Sequence, residues 1–105
     1  MARAKLVFYV PTAHAETVKQ AVFNAGAGAI GNYDQCCWQT EGIGQFRPNN
    51  DANPTIGKAG QRETVPELKI ETLCELSNIP AIICALKQAH PYEEPAYDVI
   101  ALLNF

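Results

Sequence analysis

A chain of 105 residues is the size of one compact domain, too short for a doubly wound enzyme, a large barrel or a two-domain hydrolase. Its apolar share of 48% argues against disorder, and its charged share of 18%, below the roughly 25% typical of globular chains, leaves surface for protein contact. Eight basic against eleven acidic residues give a net charge of -3, without the cationic excess that a phosphate backbone demands, so nucleic acid is not an expected partner.

In chain order, Lys5 to Val10 reads as a first, central strand, because Leu6, Phe8 and Val10 alternate with a second set that is itself half apolar. A helix is predicted from about residue 14 to 25, with Val18, Ala21, Val22 and Ala25 at helical spacing, Glu16 in the first turn and Gly26 as a left-handed stop. Tyr33 to Thr40 reads as a second strand, with Cys36 and Trp38 on one face and Tyr33 and Cys37 on the other. Residues 40–62 are crowded with glycine, proline and asparagine and are expected to form a long loop, a functional feature when it occurs in a small domain. Arg47, Lys58 and Arg62 outnumber Glu41 and Asp51 there, so the loop is a candidate for holding a small anion, or else for serving as an arm that contacts another subunit.

Glu63 to Cys74 alternates as a third, half-solvated strand, with Leu68, Ile70, Thr72 and Cys74 pointing inward; Glu63, Glu67, Glu71 and Glu75 read as a solvated row. Ser77 or Asn78 opens a second helix, lined by Ile79, Ile82, Ile83 and Leu86 and halted at His90-Pro91, and Tyr97 to Leu103 forms a last strand. The order strand, helix, strand, strand, helix, strand in one domain spanning 1–105 predicts an α+β, ferredoxin-like βαββαβ sandwich, with two helices on one face of a four-stranded antiparallel sheet. Val7, Tyr9, Tyr33, Val65, Tyr97 and Val99 are assigned to the opposite face, and that much apolar surface predicts burial against another subunit.

The longest apolar runs, Leu6 to Val10 and Ile79 to Leu86, fall far short of the roughly 20 residues a membrane helix needs. Arg3 and Lys5 precede too short an apolar stretch for a signal peptide, so a cytoplasmic protein with no membrane partner is expected. Cys36, Cys37, Cys74 and Cys84 include no Cys-x-x-Cys pair, and reduced, structural thiols are the default.

The densest polar cluster is His90-Pro91-Tyr92-Glu93-Glu94-Pro95, where flanking prolines preset a turn that presents an imidazole, a phenol and carboxylates. His90 and Glu93 are ligand types for a divalent transition metal, with Cys36 the further candidate; Tyr92, Glu94, Gly42, Gly44, Phe46 and Arg47 are candidates for a small ligand. The plainer alternative has His90 capping the second helix and Glu93 paired with Lys87 or Arg62. His14 reads as surface. Gly42-x-Gly44-x-Phe46 resembles a fragment of a phosphate loop but lacks the Lys-Ser/Thr that completes one, and no nucleophile sits beside a base.

Spaced motifs run the length of the chain: Gly26-Ala-Gly-Ala-Ile-Gly-Asn-Tyr33-x-x-Cys36-x-Trp38, Gly42-x-Gly44-x-Phe46-x-Pro48, Pro54-x-Ile56-Gly57-x-x-Gly60, Glu67-x-x-Ile70-Glu71 and Ala89-His-Pro-Tyr-Glu-Glu-Pro-Ala-Tyr-Asp98. On these the sequence resembles the insertion domain of the YqfO-type proteins of the Nif-three-like family, standing alone. The resemblance implies a fold similar to CutA and the PII signalling proteins, a trimer, and residues 40–62 in the place of the PII effector loop. The paired metal site of that family, and the hydrolase or GTP cyclohydrolase names its members carry, belong to flanking halves with no counterpart in these residues. CutA, a family linked to divalent cations, has a turn similar to His90-Pro91-Tyr92-Glu93 but continues past the point where this chain stops.

These readings lead to a non-catalytic, trimeric binding or regulatory protein that holds a divalent metal or small ligand at subunit clefts. The alternative is a structural or adaptor module that docks on another protein; a metal-dependent hydrolase would need ligands that the residues do not supply.

Overall fold

In the computed structural model, which describes residues 2–105, the chain opens with β1 (Arg3–Pro11). Alternation places Ala4, Leu6, Phe8 and Val10 out of solvent. Pro11 closes the strand, and a 3-10 turn at Thr12–His14 leads into α1 (Ala15–Asn24), whose buried face is Ala15, Val18 and Val22. After Asn24 the Gly26 N–H donates to the Phe23 carbonyl at 3.0 Å and the Ala27 N–H to that of Val22 at 3.0 Å. This paired closure needs a left-handed residue, and Gly26 supplies it at a φ of +117°, in a spot where a Cβ would stand 3.1 Å from the Asn78 amide.

β2 (Cys37–Phe46) runs antiparallel to β3 (Glu63–Glu75) from Cys37↔Thr72 to Phe46↔Glu63. The sequence reading starts this strand at Tyr33 and ends it at Thr40; in the structure Tyr33 instead bridges Ile30, and residues 40–46 extend the strand. Pairing with the long β3 overrides the poor strand propensity of Gly42 and Gly44, so the irregular connection shrinks to 47–62. A 3-10 turn at Leu76–Asn78 then leads to α2 (Ile79–Ala89), which carries Pro80 in its first turn and buries Ile82 and Leu86. The last strand, β4 (Tyr97–Ala101), stops two residues before Leu103.

The sheet order is β2-β3-β1-β4, all antiparallel, which is the α+β, ferredoxin-like sandwich that the element order predicts. One core joins the inward residues of β1 and β3 with Val18 and Val22 of α1 and Ile82 and Leu86 of α2. Residues directly opposed across a ladder share a face. Tyr97 opposes Phe8 and Val99 opposes Leu6, so both belong to the helix-covered side, and Tyr33 lies outside the ladder; the sequence reading put all three on the opposite face. That face keeps Val7, Tyr9 and Val65 but interleaves Glu67, Lys69 and Glu71, the last paired with Lys5 at 3.4 Å. No helix among the described residues is long and apolar enough to cross a membrane.

β2 is an edge strand with no buried residue, and the molecule is elongated, at 46 × 24 × 24 Å. The end of the β2–β3 ribbon that carries Gly44 and Phe46 therefore projects as an arm beyond the helix-covered core.

Candidate functional site

The site begins where α2 ends. Pro91 forces the residue before it out of helical geometry, and His90 accordingly adopts φ -70° and ψ 136° while its N–H still donates to the Leu86 carbonyl at 2.9 Å. Its ring turns toward β1. Nε2 lies 2.7 Å from the Tyr9 carbonyl oxygen, and Nδ1 accepts the Tyr92 N–H at 3.1 Å. One neutral tautomer, with the proton on Nε2, satisfies both contacts. Burial holds the imidazole pKa below its ordinary value and outweighs the opposing pulls of the Tyr9 carbonyl and the Glu67 charge; His14 adds a little in the lowering direction.

With His90 locked, Tyr92 is aimed at β3, where its hydroxyl donates to Glu67 Oε2 at 2.9 Å. Burial, then the Glu67 carboxylate, push the phenol pKa well above its usual range, so it stays protonated. Glu67 is only 9% exposed. Its carboxylate lies over Gly44 on the neighbouring strand, so closely that a Cβ at that position would collide with it. Phe46, two residues on, meets the Tyr92 ring at 5.7 Å in a tilted contact.

The connection 47–62 folds back over this floor. The Asn53 N–H reaches both Glu93 oxygens, at 3.1 and 3.3 Å, and the Thr55 hydroxyl donates to the Pro91 carbonyl. Between the arm, this connection and the turn lies an open cleft of about 940 Å³, with Gly44, Phe46, Glu67 and Tyr92 in its lining. Glu41, Asp51, Glu93 and Glu94 join Glu67 there against Arg47 and Lys69. The lining is thus net acidic, and the small anion that loop composition suggests does not suit it.

The ligand candidates Gly42, Gly44, Phe46, Arg47, Tyr92 and Glu94 do come together on this cleft, as does Glu93. The metal set His90, Glu93 and Cys36 does not. His90 spends both nitrogens on hydrogen bonds, and Cys36 lines a separate recess with Trp38 and Ile30. Among the described residues no three His, Cys, Asp or Glu side chains gather to hold an ion, so one chain does not assemble that centre. Glu93 pairs with neither Lys87, which lies over the Tyr97 ring at 5.8 Å, nor Arg62. Burial lifts the Cys74 thiol to about 11, leaving it protonated and unreactive.

Glu67 is the residue that sequence reading misses by placing it in a solvated row. A signal is present: Gly42 and Gly44 sit on alternate positions of one strand, leaving one face of the ribbon without side chains where Glu67 can lie down.

No family model matches this chain. It is 47% identical over 100 residues to the GTP cyclohydrolase 1 type 2 homolog of Halalkalibacterium halodurans, which covers 95% of this chain and 27% of that protein. The crystal structure of a Bacillus cereus protein related to NIF3 superposes with a TM-score of 0.83 at 45% identity, over 98% of this chain and 26% of that one. The CutA of Archaeoglobus fulgidus, a periplasmic divalent cation tolerance protein, superposes at 0.70 over 98% of this chain and 86% of its own, with 13% identity, a likeness of fold alone. The chain is homologous to about a quarter of the length of the NIF3-related proteins, and its fold is that of CutA. The relatives carry the name of an enzyme, and this overturns the non-catalytic expectation drawn from the sequence.

Proposed function

We propose, from the kinship with a quarter-length segment of the NIF3-related proteins, that the chain is a binding or regulatory module that holds a small organic molecule in the cleft between the arm, residues 47–62 and the His90 turn. One observation carries the reading: Glu67, a residue only 9% exposed, lines an open cleft and has no ion-pair partner among the described residues. A concave site with a few convergent polar groups that fix orientation is the usual form of a small-molecule site. In a protein of the GTP cyclohydrolase type, the module would take up or sense a molecule for the remainder of the chain.

The test is a thermal-shift panel of nucleotides, amines and divalent cations on wild type and Gly44→Ala. A ligand at about 100 times its dissociation constant adds roughly 2.7 kcal/mol, a rise on the order of 10 °C in a domain of this size. A rise lost in Gly44→Ala supports the reading, and a flat panel contradicts it.

Assembly into a homotrimer belongs to the same proposal. The outer edge of β2 is unpaired, and Trp38 and Ile43 on it are 69% and 76% exposed, which favours a second copy against this edge. Light scattering that returns a monomer at micromolar concentration would refute it. A reducing cytoplasmic setting fits the exposed free thiols of Cys37 and Cys84.

A further inference from the structure

We propose that the cleft selects ligands carrying a planar fork of two parallel N–H donors, a guanidinium or the 2-amino-pyrimidinone edge of a purine or pterin, with the fork on the Glu67 carboxylate and its plane against Phe46. The inference rests on the reading of the cleft as a ligand site and adds the chemistry of the ligand.

Three observations converge on it. Glu67 Oε2 accepts one hydrogen bond, from Tyr92, and Oε1 accepts none from another described residue, although a carboxylate has about four acceptor positions. Glu67 as a residue is only 9% exposed, and its unbonded oxygen is not sealed off, so the free acceptor positions open on the cleft. Two parallel donors match two carboxylate oxygens, the geometry that makes such pairs both strong and selective. Arg47 and Lys69 line the same cleft, yet neither forms an ion pair with Glu67, so the chain does not use its own cations there.

Phe46 and Tyr92 bring aromatic surface to the same cleft. Phe46 lies two residues from Gly44 on β2 and meets Tyr92, the residue that donates to Glu67. Guanidinium groups and heterocycles stack on such rings. The absence of a side chain at Gly44 is what lets the Glu67 carboxylate lie on the strand at this point of the cleft. The acidic lining, with Glu41, Asp51, Glu93 and Glu94 around Glu67, disfavours a phosphate and favours a cationic or N–H-rich group.

The experiment measures binding to the whole chain by calorimetry with agmatine and guanosine as fork donors. Putrescine (ammonium without a fork), inosine (the purine without its 2-amino group), adenosine and inorganic phosphate are the controls. The proposal predicts that agmatine or guanosine binds about 10-fold or more tightly than its matched control, and whichever does so identifies the source of the fork. Glu67→Gln, which keeps shape but loses charge and presents a donor, should weaken that binding by about 10-fold or more. Gly44→Ala, checked for folding by circular dichroism, should abolish it. Binding of inosine, putrescine or phosphate as tight as the fork donors, unchanged in Glu67→Gln but lost in Gly44→Ala, would overturn the inference while leaving the cleft as a ligand site. No binding of any probe at millimolar concentration would overturn both.

Discussion

The helix-covered half of the sheet and the projecting arm share β3 but are built by different means. In the covered half, Phe8, Leu6, Ile70, Ile82 and Leu86 are excluded from water and close-packed, so its stability is a matter of buried apolar area. On the arm, Ile43 faces solvent, and beyond the β2–β3 ladder order comes from single polar contacts: Tyr92 to Glu67, His90 to Tyr9, Asn53 to Glu93. The covered half can lose a contact and remain a core, whereas each arm contact holds a specific group in the cleft. A binding surface is built the second way, because it must leave apolar and polar groups available.

Substitutions sharpen this contrast. The largest effect is expected for Phe8→Ala, which leaves a cavity between β1 and both helices and should cost about 3–5 kcal/mol in urea unfolding. Ile43→Ala, on the arm and 76% exposed, should fall within about 0.5 kcal/mol of wild type. Equal losses at the two sites would erase the distinction.

Next comes Tyr92→Phe, which removes the donor to a nearly buried carboxylate and should cost about 1–3 kcal/mol. Repeating it in Glu67→Gln, whose amide needs the phenol less, should cost markedly less; additive losses would mean that the hydroxyl contact carries no coupling.

The pH dependence follows from His90. Its folded-state pKa is lowered, so the native structure favours the neutral ring, and protonation would set an Nδ1 proton against the Tyr92 N–H. The stabilisation is complete above the unfolded-chain value of about 6.5 and is lost as pH falls through the lower folded value. The urea midpoint of wild type should therefore drop more steeply below about pH 6.5 than that of His90→Gln. Parallel profiles would refute the neutral, doubly bonded imidazole.

The smallest effect concerns Glu93. Glu93→Ala frees the Asn53 amide without touching the core, so amide exchange should accelerate at Asn53 and its neighbours while global stability barely moves. Unchanged exchange would mean that the turn does not anchor the connection.

The same contrast explains what could be read from the sequence. Val18 and Val22 at helical spacing, the alternation from Leu68 to Cys74 and the Gly26 stop each report on local geometry, and the covered half follows them. The arm does not, because its order depends on partners distant in the chain. Gly42 and Gly44 look like loop residues until β3 pairs with them, and Glu67 looks solvated until Tyr92, 25 residues away, reaches it. The His90 turn stands out by composition, but its role is inverted. Its histidine, apparently a ligand, is a strut that ties the turn to β1, and the free chemical capacity lies on a carboxylate in the neighbouring strand.

The central claim is that ligand chemistry resides on the arm. Backbone amide chemical shifts recorded while agmatine and guanosine are titrated in turn test it most directly, since they report location independently of affinity. The account predicts that one of the two moves a set confined to residues 40–48, Glu67 and Tyr92 to Ala96, with the amides of α1 and α2 unmoved. Shifts centred on the Cys36 and Trp38 recess or on the helices, or none with either probe, would contradict it.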